Sequence, residues 1–462
     1  MPWPQTRNRD MKTYSDIYLI GIGGIGMSAL ARWYHHSGYR VSGYDRTPSR
    51  VTQALESEGI AVHFEDNSAL VPPSPEDTLV IYTPAVPPDM GELTYARSHG
   101  YRVLKRSQAL EEITDGHRCL AVAGTHGKTT TSTMLAHILT VSGQGCTAFL
   151  GGISSNYGSN LLLSDSGLMV AEADEFDRSF LRLHPAGSVI TAMDADHMDI
   201  YSDIDDLRSA FVQFGRQNSE TLVVRKGLED YFIRGGVRAG IWTYGGGGDF
   251  HASDIVSDGQ GRMYFTLNTP MGRIERCHAG VPGEVYIQNA TAAAALALLH
   301  GTSADAVREG IATFRGVARR FDIRVNLPGH TYIDDYAHHP AELAATIASI
   351  RQVWPGRKIT GIFQPHLFSR TRDFYREFGE SLSALDSLLL LPVYPAREEP
   401  VPGVSSSLIY DCCFLQDKRI IQKKEVLEEI ASRDIDILVT FGAGDIDRLV
   451  QPIENLLKEK YA

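Results

Sequence analysis

The chain has 462 residues, of which 43% are hydrophobic and 22% are charged, and its formal net charge at pH 7 is −12. This length and composition favour a globular protein of roughly two to four domains. The excess of acidic residues argues against a protein that binds nucleic acid or an anionic membrane, because such proteins carry basic stripes.

Cysteine usage and the N-terminal segment predict a cytoplasmic protein. The five cysteines include no C-x-x-C spacing, so reduced and buried thiols are expected. Residues 1–16 are polar and lack the apolar core of a signal peptide. No apolar run approaches the roughly 18 residues that a membrane helix needs. We expect no membrane insertion and a monomer or weak homodimer.

Short strands rich in valine and isoleucine alternate with helical patterns along nearly the whole chain, which predicts an α/β fold with parallel sheets. Three domains are predicted. Residues 1–115 form a Rossmann-like domain, residues 116–318 form a central P-loop domain, and residues 319–462 form a smaller Rossmann-like domain. In the central domain, residues 242–267 predict a β-hairpin region, and NATAAAALALLHG and SADAVREGIATF predict two closing helices.

The first predicted strand runs into a glycine turn, YLIGIGGIGM. Gly21, Gly23 and Gly26 fit the pattern G-x-G-x-x-G between a strand and a helix, with Gly24 between them. Such a turn lets a diphosphate approach the amides of a helix N-terminus. Asp45 ends the next strand, where an acid can bond a ribose hydroxyl. The loop predicts a ligand with a diphosphate and a ribose, and NAD fits these residues; a tight turn without a ligand is the alternative.

A second glycine loop, GTHGKTT, follows the strand CLAVAG. It is shorter than the standard P-loop, since Val122 stands where the first glycine would be. It keeps backbone amides, Lys128 to reach the β and γ phosphates, and the Thr129 hydroxyl for Mg²⁺. We predict that the loop binds ATP through Gly124, Thr125, His126, Gly127, Lys128, Thr129 and Thr130.

Two further strands of the central domain end in polar residues. Glu172 follows one strand and His197 follows the next. Because the carboxyl ends of parallel strands share one edge, both side chains are expected beside the second loop. With Thr129 they form a predicted Mg²⁺ site. The other acids of these segments suit either a ligand role or a solvated loop: Asp174, Glu175, Asp177 and Asp199.

The chain resembles the bacterial Mur ligases, most closely their alanine-adding branch, in order and across nearly its whole length. The segments that carry the resemblance are GIGGIGM, GTHGKTTT, EADEFDRSFL, DADHMDIY, IQNATAAAA, RRFD, DDYAHHPAE, FQPHLFSRTRD and EEPVPGVSS. The resemblance implies that the first loop holds the UDP end of UDP-N-acetylmuramate and the second holds ATP. It implies that the third domain supplies groups for the amino acid and closes over the site.

The resemblance also implies the reaction and further site residues. The lactyl carboxylate of UDP-N-acetylmuramate attacks the γ-phosphate of ATP, and L-alanine attacks the resulting acyl phosphate, in peptidoglycan precursor synthesis. The nucleotide contacts implied in this way are Asn289, Arg320 and Asp334. The amino-acid contacts are Tyr336, His338 and Arg370. The catalytic candidates are Lys128, His197, His338 and Arg370.

Alternatives remain for the residues of the third domain. His338 and His339 also suit a helix cap before Pro340, and Arg370 also suits a surface salt bridge. Leu367 stands where the family often has a basic residue, so the amino-acid carboxylate would rely on Arg370 alone or with Arg372.

A second departure concerns metal binding. Several Mur ligases hold a second Mg²⁺ with a carbamylated lysine, but the segment DDLRSAFVQF contains no lysine. This absence agrees with the alanine-adding branch and leaves the ligands of that ion open.

Three other functions compete with this interpretation. The nearest is the recycling ligase that adds an intact tripeptide to the same sugar nucleotide. An NAD-dependent oxidoreductase would explain the first loop and leave GTHGKTT without a role. A non-catalytic nucleotide switch would explain the second loop and leave the first without one.

Overall fold

The structure, a computed structural model, describes residues 14–195, 200–259, 261–396 and 398–462. Within these ranges the chain forms two compact units. The first comprises residues 14–253, 266–277 and 288–315, and the second comprises Asp254–Phe265, His278–Ile287 and Gly316–Ala462. Both contain mostly parallel sheets with connecting helices, which confirms the predicted α/β class. The three domain ranges stay a prediction.

The first sheet has five parallel strands in the order β3-β2-β1-β4-β5, the arrangement expected of a Rossmann-like domain. The strands are β1 Asp16–Ile20, β2 Arg40–Tyr44, β3 Ala61–His63, β4 Thr78–Tyr82 and β5 Arg102–Lys105. The helices are α1 Ile25–His36, α2 Arg50–Ser57, α3 Gly91–Ser98 and α4 Arg106–Thr114.

The second sheet has seven strands in the order β12-β11-β10-β6-β9-β7-β8, and only β8 runs antiparallel to its neighbour. The strands are β6 Arg118–Ala123, β7 Thr147–Ser154, β8 Ser159–Leu162, β9 Leu168–Glu172, β10 Gly187–Ile190, β11 Thr221–Arg225 and β12 Gly240–Tyr244. The helices between them are α5 Lys128–Val141, α6 Ile204–Arg216 and α7 Glu229–Arg234, and a 3₁₀ segment covers Phe176–Arg182.

A small three-stranded sheet and two helices follow. The strands β13 His251–Ser257, β14 Met263–Thr269 and β15 Gly272–Ala279 are neighbours in that order, where the sequence predicted a hairpin region. The two predicted helices are α8 Glu284–Leu299 and α9 Ala304–Thr313. The alanines of α8 are buried because the small side chains allow close packing on every side of the helix.

Helix α1 packs against β7 and β8 of the second sheet. Asn160 on β8 is fully buried; its Nδ2 atom donates to Ser28 Oγ at 3.0 Å, and its Oδ1 atom accepts from Arg32 Nη1 at 2.6 Å. Losing one partner of such a buried group costs about 1–3 kcal/mol. These bonds hold the helix after the first glycine loop against the sheet that carries the second loop.

The second unit contains a six-stranded sheet in the order β16-β17-β21-β18-β19-β20, with β16 antiparallel and the others parallel. The strands are β16 Asp322–Leu327, β17 His330–Asp335, β18 Ile359–Phe363, β19 Ser387–Leu390, β20 Lys418–Ile420 and β21 Ile437–Phe441. The helices are α10 Pro340–Val353, α11 Phe368–Leu382, α12 Ser406–Cys412, α13 Val426–Ser432 and α14 Asp447–Tyr461. The apolar segments HTYIDDYAHHP, KITGIFQPH, SLLLLPVYP and IDILVTFGAGD predict four strands here, and all four are present as β17, β18, β19 and β21.

The five cysteines form no disulfide; all are buried except Cys412, which is partly exposed. In the four described ranges, no helix is long and apolar enough to cross a membrane.

Candidate functional site

The first glycine loop connects β1 to α1 and is held by Asp45. The amide of Gly23 donates to Asp45 Oδ2 at 2.8 Å, which ties the loop to the end of β2. Gly21 has a φ of 84°, and a Cβ there would lie 2.5 Å from Thr83 Cγ2. Gly24 directly precedes α1. The structure therefore brings the predicted sugar-nucleotide residues together at a helix N-terminus, where a diphosphate can accept backbone hydrogen bonds.

The second glycine loop connects β6 to α5 and is held by the segment that follows β10. The hydroxyl of Thr191 donates to the carbonyl of His126, and Thr125 donates its amide to the carbonyl of Ala192 at 3.1 Å. The Thr125 hydroxyl in turn accepts from the amide of Asp194 at 3.2 Å. The loop is thus fixed from outside before α5 begins at Lys128.

Asn289, on α8, lies directly against this loop. A Cβ on Gly127, whose φ is 80°, would stand 2.8 Å from Asn289 Oδ1. Asn289 is 8% exposed. The structure therefore places this predicted nucleotide residue beside the phosphate loop, although the two are more than a hundred residues apart in sequence.

Lys128 pairs with Glu175, a buried acid for which the sequence left open a ligand role or a place in a solvated loop. Its Nζ atom donates to the carbonyl of Gly124 at 2.7 Å and to both carboxylate oxygens of Glu175 at 2.8 Å. Burial raises the pKa of the Glu175 carboxyl, and Lys128 opposes that shift. Burial works against the Lys128 charge, but the nearby carboxylates, Glu175 foremost, outweigh it and raise the pKa of the lysine. Glu175 is thus a counter-ion and not part of a solvated loop.

Two of the three predicted metal ligands are neighbours. Thr129 Oγ1 donates to Glu172 Oε1 at 3.0 Å, and Glu172 Oε2 accepts from the amide of Gly151 at 3.0 Å. His197 and Asp199 lie outside the described residues. Among the residues that are described, no group of three or more histidine, cysteine or acidic side chains could hold a metal ion. The two oxygens nevertheless suit a hard cation that takes its other ligands from water and phosphate.

The remaining predicted residues of the second loop and of the acidic segment after β9 differ in their exposure to solvent. The side chains of Thr125 and Thr130 are both 6% exposed. His126 lies 3.9 Å from Asp194. Asp174 and Asp177 are over one-third exposed and pair with Arg106 and Lys105 respectively, as expected of acids in a solvated loop.

In the second unit, two adjacent arginines lie over the ring of Tyr336. The guanidinium carbons of Arg319 and Arg320 lie 5.2 and 4.9 Å from the ring centroid. Arg319 also donates to Asp334 Oδ2 at 3.2 Å, while Asp334 Oδ1 accepts from Thr440 at 2.7 Å. The Asp334 carboxylate is fully buried. A contact between Asp334 and the nucleotide stays a prediction, and the geometry gives the residue the role of anchoring Arg319.

Asp335, beside it on β17, was not singled out from the sequence. Burial raises the pKa of its carboxyl to about 6. Its oxygens accept from the amide of Ala337 at 2.9 Å, the Thr346 hydroxyl at 2.9 Å and the amide of Phe321 at 3.2 Å. Asp335 thereby fixes the backbone on both sides of the Tyr336 loop.

His338 is oriented by its own loop. Its Nδ1 atom lies 2.9 Å from the carbonyl of Tyr336, and because a carbonyl only accepts, Nδ1 carries the proton and Nε2 the lone pair. Burial lowers the pKa of His338, and the positive charges of Arg370 and Arg320 act in the same direction. A neutral imidazole that carries its lone pair on Nε2 can accept a proton there. His339, in contrast, is the N-cap of α10, as the helix-cap alternative expected.

Arg370 lies in the first turn of α11, and its Nη1 atom is buried without a hydrogen-bond partner among the described residues. A buried donor of this kind is costly unless an acceptor meets it. Arg372 is different: its side chain is 57% exposed and pairs with Asp373 at 2.7 Å. The arrangement therefore favours Arg370 alone as an anion-binding residue.

Leu367 caps α11 in an unusual backbone conformation, with a φ of 73°. Such angles are rare for residues other than glycine and cluster at functional sites. Its amide donates to the carbonyl of Tyr394 at 2.9 Å. Glu398 accepts from the amide of Ser369 at 3.0 Å and so occupies the N-terminus of the same helix. The EEPVPGV segment therefore has a local role in positioning the helix that carries Arg370.

Glu175, Asp335 and Arg319 are the site residues that sequence reasoning left open or missed. Glu175 is one acid among several in its segment, and only its complete burial separates it from its neighbours. Asp335 and Arg319 stand beside residues that were selected, but adjacency in sequence does not tell which side chain points inward.

Three family models match the chain in order. The model described as Mur ligase family, catalytic domain, matches residues 16–118. The Mur ligase middle domain matches residues 122–297. The model described as Mur ligase, glutamate ligase domain, matches residues 319–446.

Individual proteins are similar over almost the whole length. The UDP-N-acetylmuramate--L-alanine ligase of Porphyromonas gingivalis is 50% identical over 96% of this chain and 99% of its own. The enzyme of that name from Phocaeicola vulgatus is 48% identical over 98% of this chain and 100% of its own. The crystal structure of UDP-N-acetylmuramate-alanine ligase from Thermotoga maritima is 28% identical, with a TM-score of 0.83, and the match covers 96% of this chain and 99% of that chain.

Proposed function

The chain belongs to the Mur ligase family, and we propose that it joins L-alanine to the lactyl carboxylate of UDP-N-acetylmuramate, driven by ATP, in peptidoglycan precursor synthesis. The observation that carries the proposal is the 50% identity, over 96% of the chain, to an enzyme named for this reaction. Two phosphate loops in one unit add support, because this reaction uses two phosphorylated substrates. The proposed sugar-nucleotide residues are Gly21, Gly23, Gly24, Gly26 and Asp45.

Activation of the carboxylate is the first chemical step. Near neutral pH a carboxylate and an amine form only a salt, so the carboxylate must be activated. A lactyl oxygen attacks the γ-phosphorus of ATP, the bond to the leaving ADP oxygen breaks, and an acyl phosphate forms. Lys128 neutralises charge on the transferring phosphoryl group, and the loop amides hold the phosphates. Asn289 and Arg320 are proposed to contact the nucleotide.

Thr129 and Glu172 are the residues that would hold Mg²⁺, with His197 as a third proposed ligand. Their oxygens, 3.0 Å apart, fit a hard cation. When bound, Mg²⁺ neutralises charge on the phosphate oxygens. The ligands of a second ion stay open.

Attack by the amino acid completes the reaction. Arg370 is proposed to bind the carboxylate of L-alanine through its planar pair of donors. His338 Nε2 is proposed to accept the proton that the ammonium group loses. The amine then attacks the acyl carbon, the bond from carbon to the phosphate oxygen breaks, and inorganic phosphate leaves. Tyr336 is proposed to line this part of the site.

One assay tests the proposal. Phosphate release from ATP is measured with UDP-N-acetylmuramate and, in turn, L-alanine, glycine, L-serine, no amino acid, or the tripeptide L-alanyl-γ-D-glutamyl-meso-diaminopimelate. We expect release that requires both the sugar nucleotide and L-alanine. Release that requires the tripeptide instead would identify the recycling ligase. Phosphate release that needs no sugar nucleotide would exclude the proposed ligase function.

Location in the cytoplasm and a monomeric or weakly dimeric state are proposals that rest on the sequence alone.

A further inference from the structure

A basic side chain from another helix packs against the first glycine motif. Arg106 is the first residue of α4, and its Nη1 atom lies 3.0 Å from the position that a Cβ on Gly26 would occupy. Its Cδ atom lies 3.1 Å from the same position. Gly26 is the second residue of α1, so the guanidinium rests against the first turn of that helix. In nucleotide-binding loops the third glycine usually permits close packing of helix and strand. Here it makes room for an arginine.

The Arg106 guanidinium is poorly compensated by the protein. Its ion partner within the described residues is Asp174, and the two groups are 3.7 Å apart, too far for a hydrogen bond. Its side chain is only 23% exposed, and its guanidinium donates no hydrogen bond within the described part of the chain. By comparison, Arg32 on α1 donates to Glu58 at 2.8 Å and to Asn160 at 2.6 Å. Arg106 thus keeps its planar set of donors available beside a helix N-terminus.

A purely structural role explains this arrangement less well. Ion pairs between partly exposed groups at such a distance contribute little stability. A diphosphate carries more negative charge than a single carboxylate and offers acceptors that match the guanidinium fork. The loop amides and the arginine would therefore face the same ligand from two directions.

We propose that Arg106 binds the diphosphate of the UDP-sugar, exchanging its long contact with Asp174 for hydrogen bonds to phosphate oxygens. This inference rests on the proposed function, which assigns the loop to a sugar nucleotide. It also predicts that a larger residue at position 26 weakens binding, because a Cβ there would push the Arg106 guanidinium out of its present position by a few tenths of an ångström.

The test measures dissociation constants of UDP-N-acetylmuramate, UDP and uridine for the full-length protein and for Arg106→Met, Arg106→Lys and Gly26→Ala, by calorimetry or by displacement. We expect Arg106→Met to weaken UDP-N-acetylmuramate and UDP by at least roughly tenfold and to leave uridine unchanged, because uridine has no phosphate. Arg106→Lys should retain part of the affinity, and Gly26→Ala should weaken the same two ligands to a smaller extent than Arg106→Met, because its Cβ only shifts the guanidinium. The control is Arg40→Met, which removes an arginine of the same sheet whose side chain is 76% exposed.

Unchanged binding of UDP by Arg106→Met would overturn the inference. An equal loss for uridine and UDP would also overturn it, because that result would indicate damage to the fold of the loop. Failure of the assignment of the first loop to a sugar nucleotide is distinguishable, since the unmodified protein would then bind no UDP-N-acetylmuramate at all.

Discussion

Lys128 and Glu175 form an ion pair in which the ammonium nitrogen lies 2.8 Å from both carboxylate oxygens, and the carboxylate is fully buried. The lysine assigned to the ATP phosphates thus has a protein counter-ion as well. Removing one member of a buried pair leaves an uncompensated charge, which costs about 3–5 kcal/mol. A substitution of Lys128 is therefore expected to change both activity and stability, and the variants must be chosen so that the two effects can be measured separately.

Lys128→Met should remove ligation, because charge on the transferring phosphoryl group is no longer neutralised. We expect turnover below roughly a tenth of wild type, since such residues typically supply several kcal/mol. UDP-N-acetylmuramate should still bind. Turnover is measured by phosphate release and sugar-nucleotide binding by calorimetry.

The control for Lys128→Met is the double variant Lys128→Met/Glu175→Gln. It should recover thermal stability, because the isolated buried carboxylate is gone, without recovering activity. Activity restored by the second change, or more than a tenth of wild-type turnover in the single variant, would contradict the phosphate role of Lys128.

Gly127→Ala should raise the KM for ATP by roughly tenfold, about 1.4 kcal/mol. The new Cβ would meet Asn289 Oδ1 at 2.8 Å and displace one side of the phosphate loop. Gly143→Ala is a matched control, because Gly143 has a φ of 78° and nothing within 4 Å of the new atom. Both changes should cost about 1 kcal/mol of stability from the left-handed backbone. Equal KM values for ATP in the two variants would exclude a steric role for Asn289.

Arg370→Lys should raise the KM for alanine at least roughly tenfold, about 1.4 kcal/mol, because lysine cannot copy the two-donor fork. The KM values for ATP and the sugar nucleotide should stay nearly unchanged. Leu367→Arg should leave the alanine KM unchanged or lower it by adding a second cation. Arg372→Lys is the control, since that side chain is exposed and pairs with Asp373. Steady-state kinetics with all three substrates decide the matter, and an unaltered alanine KM in Arg370→Lys removes the residue from the site.

Oxygen-18 in the lactyl carboxylate should appear in the released phosphate. In the acyl phosphate the carboxylate oxygen bridges carbon and phosphorus, and attack by the amine breaks its bond to carbon. Mass spectrometry of the phosphate measures the transfer. Label that stays wholly in the sugar-nucleotide product would rule out the acyl phosphate.

His137 should make the protein sensitive to acid. Its ring is buried between the hydroxyls of Tyr157 and Thr313, at 2.7 and 2.9 Å, and burial lowers its pKa from 6.5 to about 4. Between these pH values the unfolded chain binds more protons than the folded one, so stability is complete above pH 6.5 and falls as the pH drops. The loss reaches about 3 kcal/mol.

The measurement for His137 is the free energy of unfolding in denaturant between pH 7 and 4. His137→Gln should flatten the pH dependence. His36→Gln, which changes an exposed histidine, should leave the wild-type slope in place. An unaltered slope in His137→Gln would assign the acid sensitivity to other groups.

Much of the fold follows from local sequence. Buried parallel strands need continuous apolar runs, so CLAVAG and IDILVTFGAGD identified β6 and β21 directly. In the sheet of the second unit, the two edge strands β16 and β20 were not predicted; they read DIRVNL and KRI, and an edge strand is half solvated, so its sequence resembles a loop. Both glycine loops were predictable, because their glycines, and Lys128 and Thr129 in the second loop, stand at fixed spacings that the local sequence shows directly. Their phosphate-binding role stays a prediction.

The sequence by itself determined the α/β class, the two glycine loops and, through the resemblance, the family. Only the tertiary structure decided which residues meet. Glu175 pairs with Lys128, Asn289 leaves no room for a Cβ on Gly127, the buried Asp334 pairs with Arg319, and Arg106 packs against Gly26. These pairs are separated by 15 to 162 residues, so their distances depend on the packing of whole elements. Local chemistry fixes what a side chain can do, whereas burial and the neighbours across the fold fix which of several chemically equal side chains does it.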